Sequence, residues 1–324
     1  MNKIDFSYAS KSEHNFAQRL IIKTIEKLSG KKKLENLYKN YSLDERSPKK
    51  FWTDILKEME IKIVNKSYNK LSIPKNGSLL VIANHPFGII DGLILCSLVS
   101  NIRDDFKIMT HETLQFLPQL KQFILPVDFN GQSKKSKLLN IQTAKKARNF
   151  LENNGVLIIF PSGGVSTATS LKSDAVDDEW KLFPAKLIHQ TKTNILPIYF
   201  DGKNGLLFHI FATKIKNQTL KYSSYIHETK KKIGKEIIIY SGDVINYDTL
   251  KDIEDRLELT KHLKEKCSKL VNIGISQGGE AVFIASTFLE ADYTLVISGI
   301  HEFYKNIVWK SFKQIDTPNL ANYL

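Results

Sequence analysis

The sequence has little cysteine and no long apolar run. Its two cysteines, Cys96 and Cys267, stand far apart among 324 residues, without the spacing of a metal site or the density of a disulfide scaffold. A disulfide framework is therefore not expected, a reducing compartment fits, and no metal or resident cofactor is implied. No stretch of about 18 consecutive apolar residues occurs, so a spanning helix is not expected and any lipid contact would be peripheral. The opening MNKIDFSYASKSEHNF has no apolar centre and no small-residue cleavage site, so a secretory leader is not expected either. Internal repeats and low-complexity tracts are missing.

Hydrophobic residues make up 42% and charged residues 25% of the chain, a composition that folds rather than staying disordered. The formal net charge is +13, which favours polyanionic partners such as anionic lipid headgroups, acidic carrier proteins, phosphorylated cofactors or nucleic acid. The lysines are scattered in small groups, at 31–33, 49–50, 134–135 and 230–232. No zinc-finger, homeodomain or aromatic RNA-binding signature accompanies them, so a specific nucleic-acid partner is not expected.

Residues 1–60 read as a helical segment. Ala17, Ile21, Ile25 and Leu28 recur at helical spacing before Gly30, and Phe51, Ile55, Leu56 and Met59 share a face after Pro48. Such helices suit a lid, a flanking bundle or an element resting on a membrane surface. From residue 61 to 268 short β-rich runs alternate with helices: IKIV (61–64), LLVIA (79–83), FKIMT (106–110), VLIIF (156–160), ILPIYF (195–200) and EIIIY (236–240). The segment 134–154 reads as a helix with Leu138, Ile141, Ala144, Ala147 and Leu151 on its inner face. This pattern predicts an α/β fold, a mixed sheet flanked by helices. The proline within ILPIYF points to an edge strand or a bulge. Residues 269–324 read as a small β-α-β appendage, with strands at 271–276 and 293–300 around a helix.

Two segments carry chemistry. In LLVIANHPFGIIDGLIL, a buried strand ends at Asn84 and His85, Pro86 stops the ladder, Gly88 allows a turn, and Asp91 enters a helix. The carboxyl end of a strand is where α/β proteins place reactive groups. A carboxylate folded back on the imidazole would set its tautomer and let it take a proton. On spacing alone, a loop histidine with Asp91 capping the helix fits equally well. In VLIIFPSGGVSTA, a strand ends in Phe160-Pro161 and turns through Ser162-Gly163-Gly164, exposing amides that can hold an oxyanion or phosphate, or simply making a tight turn.

In order, NHPFGIIDG, FPSGGVSTA and ILPIYFDGKN resemble three blocks of the lysophospholipid acyltransferase superfamily, in particular its bacterial haemolysin-like and lyso-ornithine-lipid acyltransferase branch. LCSLV (95–99), DFKIMT (105–110), LPVDF (125–129), WKLFPAKLI (180–188) and ELTKHLKEK (258–266) also resemble that branch, so the likeness spans roughly residues 15–268. The resemblance implies a glycerolipid-acyltransferase-like sheet and transfer of a fatty acyl group from acyl-CoA or acyl carrier protein to a lysolipid hydroxyl. It further implies His85 as general base, Asp91 as its orienting carboxylate, and Asn84 with the 160–164 turn in the substrate site. No covalent acyl-enzyme is required, and the expected location is cytoplasmic, peripheral to the inner face of an anionic membrane.

The chain departs from the superfamily's usual pattern. The spacing from His85 to Asp91 is one residue longer than usual, as in the named branch. Ser162 stands where a glutamate, and Val165 where an arginine, would help grip a glycerol phosphate; Asp128 lies near the place of another arginine. The missing cations disfavour a lysophosphatidic acid acceptor and leave room for a zwitterionic or amino-acid lysolipid.

Finally, Gly274-Ile275-Ser276-Gln277-Gly278 fits the G-x-S-x-G nucleophile elbow and resembles a fragment of an α/β-hydrolase. A triad would have to use Asp292 and His301, crowded around the next strand. A serine hydrolase acting through Ser276, and a catalytically decayed lipid-binding protein, are the alternative functions.

Overall fold

The computed structural model describes residues 47–275 except 68, 112–117, 129–132, 169–172 and 214–217, together with strands at 282–286 and 294–298. The helical expectation for residues 1–46 and the residues Ser276, Asp292 and His301 lie outside the described residues.

Each expected β-run between 61 and 241 is a strand: β1 (Lys62–Asn65), β2 (Leu79–Ala83), β3 (Phe106–His111), β5 (Val156–Ile159), β6 (Asn194–Asp201) and β7 (Glu236–Ser241). One further strand, β4 (Ile124–Val127), joins them in a seven-stranded sheet of order β1-β7-β6-β2-β5-β3-β4. The strands from β6 to β4 run parallel, β7 runs antiparallel to β6, and β1 is parallel to β7. β2 is therefore central. All five of its side chains are buried, because helices cover both faces and no side of the strand meets water.

Alternation along β2 divides the core. Leu79, Val81 and Ala83 share a cluster with α1 (Phe51–Glu58) and α2 (Ile89–Ser100). Leu80 and Ile82 share the opposite cluster with α3 (Lys134–Glu152), α4 (Phe183–Thr191) and α7 (Arg256–Ile275). The short α5 (Leu206–Thr213) and the longer α6 (Gln218–Lys231) fill the connection from β6 to β7. Helix α1 uses its apolar face for packing: Phe51, Trp52, Ile55 and Leu56 are buried, and Trp52 meets Phe106 and Phe123 edge-on. That face is not available to a membrane.

Prolines separate the two positions open to them in a sheet. Pro126 lies in β4, the edge strand, where a missing N–H breaks no ladder. Pro197 lies in β6, an interior strand, so the edge expectation does not hold there; the bulge does. Ile195 bridges Ile245 and Ile198 pairs with Ser241, which sets two residues of β6 against three of the facing segment. Gly242 N–H donates to Pro197 O at 2.9 Å, so the proline sits where it only has to accept.

Helix α3 is where expected, but its inner stripe differs. Ser136, Thr143, Ala147 and Leu151 face inward, while Leu138 and Ile141 are 56% and 67% exposed. Polar anchors rotate the helix: Thr143 donates to Pro126 O at 2.7 Å and the Ser136 hydroxyl donates to Asp128. The expected strand over 271–276 is also overturned, since α7 continues through Ile275. Residues 282–286 form strand β8 rather than helix, paired antiparallel with β9 (Thr294–Ser298). Apolar Val271, Ile273 and Ile275 extend the helix instead of opening a β-α-β elbow, and Val282, Phe283 and Ile284 favour extension over helix.

At the opposite end of the sheet from the motif turns, Arg103 clamps the layers. It is 4% exposed and pairs both oxygens of Asp105 while donating to the carbonyls of Pro74, Gly77 and Asn154.

Candidate active site

β2 ends at Ala83, and the next residues turn across the carboxyl ends of its neighbours β5 and β6. Asn84 ties this end down. Its side chain donates to Phe200 O at 2.9 Å and accepts from Phe200 N at 2.7 Å, so it locks β2 to β6 and both polar ends of its amide are engaged. Gly88 adopts φ +75°, a conformation that side chains rarely take, and a Cβ there would press on Tyr225 and Val165 at 3.3 Å. This turn brings the chain back on itself, so that residues 85 and 91 meet.

His85 Nδ1 lies 2.9 Å from Asp91 Oδ2. The same carboxylate oxygen accepts from Phe87 N at 2.8 Å and Gly88 N at 2.9 Å, so Asp91 closes the first turn of α2 and orients the imidazole at once. One side chain thus makes both contacts left open by spacing, to the imidazole and to the amides that start the helix. Asp91 is fully buried. Burial pushes its carboxyl above the ordinary aspartate range, while the imidazole and the two amides pull the other way. Its Oδ1 has no hydrogen-bond partner among the described residues.

The imidazole is also held by its face. The Phe160 ring stacks on it with centroids 3.9 Å apart and planes at 19°. With Nδ1 committed to Asp91, Nε2 is the nitrogen available to take a proton. The side chain is 17% exposed, enough for one edge to meet a substrate.

The Ser162-Gly163-Gly164 turn follows Phe160 and Pro161. Gly163 N–H donates to Phe160 O at 3.0 Å, and Ser162 Oγ donates to Gly164 O at 2.8 Å, so the hydroxyl closes the turn rather than facing a ligand. Space beside the Gly164 Cα is open. Val165 and Ser162 are buried, and neither brings charge to the site. Asp128, the residue after β4, accepts the Ser136 hydroxyl of α3 at 2.5 Å and stands outside the dyad.

Asp177 escapes a reading of the sequence. It is buried, and it accepts His85 N–H at 3.1 Å, the Ser166 hydroxyl, and Trp180 Nε1–H at 2.8 Å. One carboxylate thus fastens the backbone of the histidine to the loop after the glycine turn, which Ser166 N–H joins again through His85 O at 2.9 Å. The DDEW run around it shows an acid near a tryptophan, but nothing local names its distant partner.

Both cysteines are buried and unsuited to nucleophilic work. Burial raises the Cys96 thiol well above its ordinary pKa, and burial also pushes Cys267 up to about 12, with its Sγ–H donating to Ile198 O at 2.9 Å. Native protein treated with N-ethylmaleimide is expected to keep its full transfer rate and to take up label at neither position until unfolded; inactivation at either cysteine would contradict this. Among the described residues there is no group of three or more His, Cys, Asp or Glu placed to hold a metal, and no helix long and apolar enough to cross a membrane.

A histidine–carboxylate pair at the carboxyl end of a central parallel strand, with an open glycine turn beside it, is an arrangement that can take a proton from a hydroxyl. Comparison with known proteins gives the class. An acyltransferase family model matches residues 65–201, which contain the dyad, the glycine turn and β6. The chain is 25% identical over 207 residues to a lyso-glycine lipid O-acyltransferase of Bacteroides thetaiotaomicron, covering 61% of this chain and 72% of that protein. It is 23% identical over 205 residues to a lyso-glycine lipid O-acyltransferase of Phocaeicola vulgatus, covering 61% and 70%. The crystal structure of the 1-acyl-sn-glycerophosphate acyltransferase PlsC from Thermotoga maritima aligns with a TM-score of 0.44 at 15% identity, covering 70% of this chain and 78% of that one. Residues 65–201 thus carry an acyltransferase domain, and the chain is an acyltransferase similar to lysolipid O-acyltransferases.

Proposed function

We propose that the protein transfers a fatty acyl group from a thioester, acyl-CoA or acyl carrier protein, to the hydroxyl of an amino-acid lysolipid. The observation that carries this reading is the 2.9 Å contact between His85 and Asp91 at the end of the central strand. His85 Nε2 removes the acceptor's hydroxyl proton as the oxygen attacks the thioester carbonyl. The tetrahedral intermediate then expels the thiolate, which takes the proton from the imidazolium, and Asp91 stabilises that cation. The open side of the Gly164 turn is the place for the developing oxyanion. The acceptor follows from two supports: the superfamily's phosphate-gripping residues are replaced by Ser162 and Val165, and the relatives matched are lyso-glycine lipid O-acyltransferases.

The same edge of the sheet suits an anionic membrane surface. Connections leaving the carboxyl ends of the parallel strands expose Leu138, Ile141, Val176 and Leu182, next to exposed Lys134 and Lys135 at the start of α3. These exposed side chains support a peripheral enzyme working at the cytoplasmic face of a membrane. A panel of lysolipids, offered with radiolabelled acyl-CoA and with acyl carrier protein, tests the function directly. A diacyl product from a lyso-amino-acid lipid with little from lysophosphatidic acid is expected; the reverse preference would overturn the acceptor, and no product with any pair would overturn the reaction.

A further inference from the structure

β2 has two neighbours, and so the His85 turn has two flanks. On the β5 side stands the glycine turn, to which Ser162 and Val165 contribute no cation. On the β6 side a solvent-open cleft of about 320 Å³ is lined by Phe87, Asp201, Gly202, Lys203, Lys231, Lys232, Lys235, Glu236 and Ile237. Four lysines and two carboxylates line it; Lys203 Nζ donates to Ser173 O at 2.7 Å, and Glu236 already lies 3.6 Å from Lys62, which is not part of the lining.

Lys231 has an ordinary explanation, since it ends α6 and pairs with Glu228 at 3.0 Å. Lys232 does not. Its ammonium stands 4.0 Å over the Phe87 ring and donates to Lys203 O at 3.3 Å, half withdrawn from water. Burial lowers its pKa, with Glu228 and Asp91 pulling it back up. Phe87 is the residue whose amide holds Asp91, so the cation sits directly behind the catalytic turn. Gly202 makes the approach feasible: at φ +123°, any Cβ would lie 2.8 Å from the Phe87 ring.

We infer that this lysine cleft, rather than the glycine turn, binds the anionic headgroup of the acceptor, a carboxylate or a phosphate, while its hydroxyl reaches His85. The inference rests on the acyl-transfer reading above and locates the cation that the glycine turn has given up.

Lys235 is exposed, so Lys235→Glu can be made without disturbing packing, and Lys232→Met keeps the stem over Phe87. Steady-state kinetics with acyl-CoA should compare a lyso-glycine lipid, lysophosphatidic acid and uncharged monoacylglycerol. In each variant the ratio of kcat/KM for the anionic over the uncharged acceptor is expected to fall about tenfold, with donor KM within about twofold of wild type. The two anionic acceptors tell carboxylate from phosphate by which loses more. A rise in donor KM instead, or an unchanged ratio in both variants, overturns the cleft assignment. Calorimetric titration of the full chain with an N-acylglycine and with glycerol phosphate separates this from failure of the reaction itself. Binding that both variants lose supports the cleft even without turnover, and binding that both retain refutes it.

Discussion

Replacing His85 by alanine is expected to lower kcat for acyl transfer about 10³-fold, the scale of a positioned general base. Among the described residues nothing nearby can substitute. Asp91 is sealed behind the turn, the cysteines are buried thiols, and Ser162 has its hydroxyl tied to Gly164 O. The loss should fall on kcat, because the imidazole edge acts on the reacting hydroxyl and not on the lipid's bulk. Truncation also leaves the buried Asp91 without its imidazole, so a drop in stability of about 1–3 kcal/mol accompanies it. Melting temperature measured alongside single-turnover transfer separates the two effects. A folded alanine variant that keeps more than about a tenth of the wild-type rate would remove His85 from the mechanism.

The second large effect is expected from Asp91→Asn, and it runs opposite ways in function and stability. The asparagine carbonyl can take the place of Oδ2 and still accept from Phe87 N, Gly88 N and the imidazole. Its amide nitrogen then occupies the position of Oδ1, which lacks a partner among the described residues. Geometry survives; the negative charge does not. Because burial is the leading influence on this carboxyl and raises its pKa, removing the charge relieves a desolvation cost. Between the ordinary aspartate pKa of 3.8 and the raised folded value, the wild type binds more protons folded than unfolded, so its stability falls as pH rises through that window, and the asparagine variant should not show this fall. At neutral pH the variant is expected to melt no lower than wild type while its transfer rate falls about 100-fold, for want of the charge that stabilises the imidazolium. A helix cap alone would predict unchanged catalysis, so an active asparagine variant would reduce Asp91 to that role.

Much of the site is local, and that is why it could be read. His85 and Asp91 are six residues apart, and Pro86 and Gly88 between them have one conformational use each, to stop a strand and to turn the chain. The β-rich runs carry their own burial pattern, so six of the seven sheet strands were legible from alternation and length. β4 was not, because ILPV is short and holds a proline; pairing with β3 makes it a strand. The face of α3 was misread for a similar reason. Leu138 and Ile141 are the apolar choice, yet Ser136 and Thr143 find acceptors at Asp128 and Pro126 that only the folded sheet brings near.

By itself the sequence determined the α/β alternation, the buried strand that ends at His85, the turn after it, and the likeness to the acyltransferase superfamily. These depend on contacts within an element or across one turn, which periodicity and residue type encode. The tertiary structure alone decided that Asp177, 92 positions from His85, fastens the histidine's backbone. It also decided that Pro197 lies inside the sheet opposite a bulge in the segment after β7, and that Lys203, Lys231, Lys232 and Lys235 line one cleft with Phe87. Those juxtapositions follow from strand order: β6 enters beside β2 and β7 reverses against it, so chain segments far apart in sequence meet at one edge. Lysines that read as scattered surface charge become a cleft only when that order is set.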